Sequence, residues 1–154
     1  GQQKNLRPCT EATDLIASFE AAVKAYPTDL THYKELNGYL RDRLSKMEDV
    51  YINSPDNSVY NILSFSVLGV RSEIMLHSLE EKEIYVSSGS ACSKGKISSV
   101  PDAFGMSSER ADSTIRVSFS METTKEDIDA LCDEIENGIA RFRRTKKSRR
   151  KGNI

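Results

Sequence analysis

The run Val-Ser-Ser-Gly-Ser-Ala-Cys-Ser-Lys-Gly-Lys, residues 86 to 96, sets one thiol, Cys92, among serine, glycine and alanine. Such small neighbours leave the sulfur open to reagents. A free thiol ionises near pH 8.5, so only about a few per cent is nucleophilic thiolate at neutral pH unless the surroundings favour the anion. Lys94 and Lys96 are the nearby charges that can do so. On local features the alternative is an inert loop cysteine. A second group able to do chemistry is Arg116, within the strand-like run Ser-Thr-Ile-Arg-Val-Ser-Phe-Ser, residues 113 to 120. Alternation places Thr114, Arg116, Ser118 and Ser120 opposite Ile115, Val117 and Phe119. An arginine among small hydroxyls can offer its planar fork to a carboxylate. Its other readings are a salt bridge or a solvated strand face.

The remaining reactive types are sparse. Cys9, Cys92 and Cys132 lie far apart, and there are two histidines, His32 and His77. An odd, widely spaced set argues against a disulfide framework and against a zinc site. Cys132 falls on the apolar stripe of the last helix and reads as a small buried hydrophobe. Neither histidine has a metal-binding or catalytic partner in the sequence pattern.

Helices and strands must position these groups. Helical spacing predicts a helix over Thr10–Tyr26, stopped by Pro27, and a second over about Asp29–Met47 with Thr28 as its N-cap. Short strands are expected at Val50–Asn53, Tyr60–Val67, Glu83–Ser88 and Ser113–Ser120. A helix is expected over Arg71–Glu81, with Ile74, Met75, Ser78 and Leu79 on one side. Thr123 and Glu126 form a capping box for a final helix whose buried stripe is Ile128, Leu131, Cys132, Ile135, Ile139 and Phe142. No element is assigned to Ser93–Asp112. The order implies an α+β fold, a small, mainly antiparallel sheet with helices packed on one face.

With 154 residues the chain suits one domain with tails. No apolar run approaches the roughly 20 residues that cross a bilayer, and the start has no signal-peptide pattern. A reducing, cytoplasmic setting is the expectation. Eight of the eleven residues from Arg141 to Lys151 are Lys or Arg, and the rest of the chain holds 14 basic against 23 acidic residues. That basic stretch can bind nucleic acid or an acidic partner, or it is a solvated, disordered C-terminus.

Three stretches together resemble the C-terminal part of cysteine desulfurases, the NifS/IscS-like branch of the class V aminotransferases. Leu76–Ser93 resembles the family's helix, strand and catalytic cysteine loop, Ser113–Leu131 resembles the strand and last helix that follow, and Gly1–Ala12 resembles the segment leading into the domain. The resemblance implies the C-terminal domain of a fold-type I pyridoxal 5'-phosphate (PLP) enzyme over residues 1–142, with a basic, disordered tail over 143–154. It implies a homodimeric, PLP-dependent parent that removes sulfur from L-cysteine, yields L-alanine and leaves a persulfide on the loop cysteine. From there the sulfur passes to an acceptor or iron–sulfur scaffold protein.

By the same resemblance Cys92 is the nucleophile, Arg116 binds the substrate α-carboxylate, and Thr10 contacts the cofactor phosphate. An acceptor thiol must reach the substrate first and a partner protein later, which suits the small residues around Cys92. Cys9 stands where the family shows glycine, and Ala12 where it shows asparagine. Neither His32 nor His77 precedes a lysine, as the family's Schiff-base motif requires. The large cofactor domain is therefore expected upstream, and this chain alone is expected to be inactive. A selenocysteine lyase is a reading within the family. From a different class, the alternative is a stand-alone, non-catalytic module that uses its basic tail for nucleic acid or acidic partners. Nucleic acid is the less favoured partner, and no membrane is involved.

Overall fold

The computed structural model describes residues 11–88 and 105–151, with side chains as far as 142. Its elements are α1 (Thr13–Ala25), α2 (Thr31–Ser45), β1 (Val50–Ile52), β2 (Ile62–Val67), α3 (Ser72–Glu80), β3 (Ser87–Ser88), α4 (Ser108–Asp112), β4 (Thr114–Ser118) and α5 (Lys125–Lys151). The chain divides into two compact units at Leu30 and Thr31.

The first unit contains α1. Leu15, Ile16, Phe19 and Val23 recur at helical spacing, yet the helix buries none of its residues and Phe19 is 72% exposed. It begins after Ala12, which provides no side-chain cap, and ends at Ala25, with the Tyr26 N–H returning to the Val23 carbonyl.

The second unit is the α+β body. Its four strands lie in the order β1-β2-β4-β3, and every pairing is antiparallel. Leu63, Phe65 and Val67 on β2 alternate with Ile62, Ser64 and Ser66, while Ile115 and Val117 on β4 share the apolar face. That face packs with Tyr33, Leu36, Leu40 and Leu44 of α2, Met75 and Leu79 of α3, and Ile128, Leu131, Cys132 and Ile135 of α5 in one core. The helices therefore cover one face, as expected, with one addition. The short α4 lies over one end of the opposite face, where the Ser66 and Thr114 hydroxyls donate to the Arg110 carbonyl at 2.8 and 2.9 Å.

Several boundaries differ from the sequence expectation. The second helix starts at Thr31, so Thr28 is not its cap and Leu30 lies outside it. The strand expected over Glu83–Ser88 shortens to Ser87–Ser88, since Glu83 adopts a φ of 59° and turns the chain after α3. Ile74 points outward on α3, at 43% exposure, and Ser72 takes a buried place instead. The final helix is capped one residue later than the Thr123–Glu126 box. The Asp127 N–H donates to Thr124 Oγ1 at 3.2 Å while the Thr124 N–H donates to Asp127 Oδ2 at 2.8 Å. This is a reciprocal box in which Asp replaces Glu. Thr123 instead accepts from the Ser120 N–H at 2.9 Å and closes the turn between β4 and α5. The α5 backbone stays helical to Lys151, nine residues beyond Phe142, where an irregular tail is expected. No Pro or Gly interrupts it between Gly138 and Gly152.

Candidate functional site

Alternation along β4 gives Arg116 its place. Ile115 and Val117 must face the core, so Arg116 is carried to the other side of the sheet, where it is exposed. Register then determines its neighbours. Ser64 on β2 and Ser87 on β3 are both directly opposite Arg116, so the three side chains form a row across three strands. Directly opposed Cβ atoms in an antiparallel pair stand about 4.5–5.5 Å apart. No carboxylate is in this row, and Arg116 has no ion pair or side-chain hydrogen bond among the described residues. None of the described residues occupies its five N–H donors, and a guanidinium in that state can take a planar anion such as a carboxylate. Of the alternatives open in the sequence, the salt bridge finds no partner among the described residues.

The next row towards α4 is polar but already satisfied. Ser66 and Thr114 are opposed and buried, with their oxygens 3.0 Å apart. Both hydroxyls reach the Arg110 carbonyl, and Ser113 Oγ joins them at 3.1 Å. Asn53 Nδ2 donates to Ser66 Oγ at 2.9 Å. The Arg110 side chain continues the network, donating through Nε to Asn53 Oδ1 at 2.8 Å and through Nη2 to the Ile52 carbonyl at 2.9 Å. Its guanidinium also stacks over Tyr51, 5.6 Å from the ring centre. Sequence reasoning missed Arg110 because α4 is only five residues long and carries no periodic pattern. Ser107, whose hydroxyl caps it by accepting from the Arg110 N–H at 3.3 Å, is the one local signal.

Cys92 and Thr10 lie outside the described residues, so the structure positions neither of them. Ser87 precedes Cys92 by five residues in the sequence. Cys132 is fully buried in the core, and burial pushes its thiol up to about 11, which keeps it protonated and unreactive at neutral pH. His32 lies in the first turn of α2, and His77 faces solvent beside Glu80 at 3.5 Å. Among the described residues no group of His, Cys, Asp and Glu can hold a metal ion. A shallow cleft of about 120 Å³ is lined by Gly69, Val70, Arg71, Glu109, Asp112 and Ser113, and its arginine is already paired with Asp112 at 3.3 Å and Glu73 at 3.2 Å.

The described residues do not make a complete PLP site. A Schiff-base lysine needs an enclosed pocket that lowers its affinity for protons, whereas Lys24, Lys34, Lys46, Lys82 and Lys125 all stand exposed. Among the described residues no helix is long and apolar enough to cross a membrane.

The aminotransferase class-V family model matches residues 7–131. The chain is 33% identical over 146 residues to the cysteine desulfurase IscS of Enterobacter sp. (strain 638), covering 93% of this chain and 36% of that protein. It is 36% identical over 151 residues to IscS of Pseudoalteromonas translucida, covering 93% and 37%. The fold superposes on a NifS-like protein from Rickettsia africae with a TM-score of 0.76 at 28% identity, over 90% of this chain and 38% of that one. A similar fold occurs in the cysteine desulfurase CsdA of Escherichia coli, with a TM-score of 0.68 at 22% identity over 88% and 32%. The chain thus spans a little over a third of the curated relatives it matches. It belongs to the class-V aminotransferase family, as a fragment that matches the C-terminal part of cysteine desulfurases.

Proposed function

We propose that the chain is the sulfur-accepting and carboxylate-binding part of a PLP-dependent cysteine desulfurase, with Cys92 as acceptor, Arg116 as anchor of the substrate α-carboxylate and Thr10 as a contact to the cofactor phosphate. Residues 1–142 form this part and 143–154 its basic extension. The observation that carries the reading is the state of Arg116: exposed, unpaired among the described residues, and set in a row of serines free of acids. An arginine placed only for stability would be expected to meet a carboxylate or to lie over an aromatic ring, as Arg43 and Arg110 do.

The net chemistry balances without an added oxidant. L-Cysteine and the Cys92 thiol give L-alanine and the Cys92 persulfide: a carbon–sulfur bond breaks, a sulfur–sulfur bond forms, and the proton lost from the thiol is matched by one gained at carbon. PLP supplies an electron sink when the complete enzyme holds it. This chain's share is to fix the substrate carboxylate at Arg116, which reduces the entropic cost of reaction, and to present Cys92 as thiolate to the substrate sulfur. The sulfur then goes to an acceptor or iron–sulfur scaffold protein, from a homodimeric cytoplasmic enzyme.

The test is the complete reading frame that encodes this chain, supplied with PLP and L-cysteine. Alanine release, with one added sulfur atom found by mass spectrometry on the Cys92 peptide, is the expected result. Both signals should vanish in Cys92→Ala. Alanine release by the 154-residue chain alone would overturn the division of labour, and an active Cys92→Ala enzyme would overturn the acceptor.

A further inference from the structure

We propose that α1 is a self-association helix: two copies of this chain pair through their α1 helices, antiparallel and centred on Phe19. The inference goes beyond the desulfurase reading and does not depend on it.

The starting point is an imbalance within α1. The helix has 13 residues and buries none of them. Isolated helices of about 12–15 residues are marginal in water, and in proteins most of their stability comes from packing an amphipathic face. α1 has such a face. Leu15, Phe19, Val23 and the C-cap Tyr26 follow one another at steps of four, four and three residues, which keeps them on one side, and Ile16 widens the stripe. All five are between 58% and 72% exposed. No charge interrupts them. With 3.6 residues per turn, Asp14 and Lys24 fall on the far side of the helix. Lys24 pairs with Glu20 at 2.6 Å, and the Ser18 hydroxyl donates to the Asp14 carbonyl at 2.8 Å. The polar groups thus satisfy one another along the helix, and the apolar stripe has no cover among the described residues. Contiguous apolar surface of this kind marks a contact site.

The stripe is complementary to itself, which is why a second copy fits it. Phe19 is the middle residue of Thr13–Ala25. When one copy is turned end for end about Phe19, its Leu15 lies against Val23 of the other copy, its Ile16 against Ala22, and its Tyr26 against Ala12. Large side chains meet smaller ones, as knobs entering holes require. One patch serves both subunits, which is the isologous contact of a two-fold dimer. The opposed directions also set the positive end of each helix dipole beside the negative end of the other. Covering the five side chains removes roughly 600 Å² per copy and about 1,200 Å² for the pair, the lower edge of specific interfaces. Such a contact gives a reversible dimer with a dissociation constant on the order of micromolar or weaker.

The experiment is sedimentation equilibrium of the 154-residue chain with its thiols kept reduced, from about 1 to about 500 μM, a range that brackets this affinity. A reversible monomer–dimer equilibrium is expected. Phe19→Glu sets two carboxylates at the centre of the contact and should weaken association at least about tenfold. Thermal melting of the α+β body should be unchanged, because no residue of α1 belongs to its core.

A mixing test reads the direction of pairing. Leu15→Lys and Val23→Glu each set a charge in the stripe, and each chain alone should be monomeric where the native chain is dimeric. Mixed, the two should recover association, because residue 15 of one copy meets residue 23 of the other only in the antiparallel pair. A native chain that stays monomeric across the range overturns the proposal and leaves the stripe to a different protein. A dimer that survives Phe19→Glu overturns α1 as the contact. A mixture no more associated than its components overturns the antiparallel register.

Discussion

Arg116 and Ser87 are register partners across β4 and β3, and Ser87 is the fifth residue before Cys92. The strand that leads into the cysteine segment is therefore paired with the residue proposed to hold the substrate carboxylate. Arg116 is exposed and has no partner among the described residues, so Arg116→Ala should leave thermal stability within about 0.5 kcal/mol of the parent chain. Its effect should appear in binding. Millimolar L-alanine, the carboxylate product, should shift the Arg116 side-chain nitrogen resonance in the native chain. Arg116→Lys should bind more weakly, since an ammonium lacks the bidentate fork. No shift at any alanine concentration up to saturation of a control arginine site would count against the anchor.

Asn37 on α2 is buried at 4% exposure and works in two directions. Its Nδ2 donates to the Tyr60 carbonyl at 2.9 Å, and its Oδ1 accepts from Arg41 Nε at 2.8 Å. Arg41 in turn donates to the Ser54 and Pro55 carbonyls at 3.0 and 2.9 Å. These contacts fix the turn between β1 and β2, and through it the register that sets Ser64 opposite Arg116. Asn37→Leu keeps the branch at Cγ with a bulkier, apolar side chain, so the Tyr60 carbonyl loses its donor and Arg41 Nε its acceptor. The expected cost is about 2 kcal/mol or more by denaturant unfolding, with Arg41→Met adding less in that background than on its own because the two share one network.

The parts legible in the sequence were those where one residue type has one good solution. Leu63, Phe65, Ile115 and Val117 alternate, and alternation in a sheet with one covered face admits one orientation. Arg116 followed from that, because its neighbours Ile115 and Val117 leave it no other side. What could not be read locally depends on partners distant in sequence. Glu83 takes a left-handed φ of 59° and cuts short the strand that Ile84, Tyr85 and Val86 suggest by propensity. Thr123 and Thr124 are both competent caps. The choice of Thr124 follows from Ser120, whose N–H already claims Thr123 Oγ1. The Arg110 side chain meets Tyr51, Ile52 and Asn53, about sixty residues earlier, which no periodicity encodes.

Gly138 on α5 faces Met75 on α3 so closely that a Cβ there would lie 2.7 Å from Met75 Sδ and 2.9 Å from Cε. Both atoms belong to the end of a flexible side chain, but Met75 is fully buried and can yield only within the core. Gly138→Ala therefore sets a helix-propensity gain of about 1 kcal/mol against the displacement of Met75, and the net change is expected to be small. Gly138→Val adds bulk that the site cannot admit and should cost about 1–3 kcal/mol. Combining it with Met75→Ala should recover part of that loss, giving a coupling of opposite sign in a double-mutant cycle. Additive losses would mean that α3 and α5 do not meet at this point.

Cys132 makes the body sensitive to alkali. Its thiol is raised from 9.0 to about 11, first by burial, with the nearby Arg43 guanidinium opposing the shift. Below about pH 9 the thiol is protonated in both the folded and the unfolded chain, and its contribution is fully present. Between 9 and 11 the unfolded chain releases a proton that the folded chain keeps, so ionisation favours unfolding and stability falls as pH rises. One proton sets a ceiling of about 1.4 kcal/mol per pH unit on that slope. Urea unfolding of the native chain and of Cys132→Val at pH 8 and pH 10.5 checks this directly. The valine variant should lose less stability over the interval, because it removes the titrating thiol while filling a similar space. Equal losses in both proteins would assign the alkaline sensitivity to other groups, Tyr39 first among them, since its hydroxyl is raised by its hydrogen bond to Asp129.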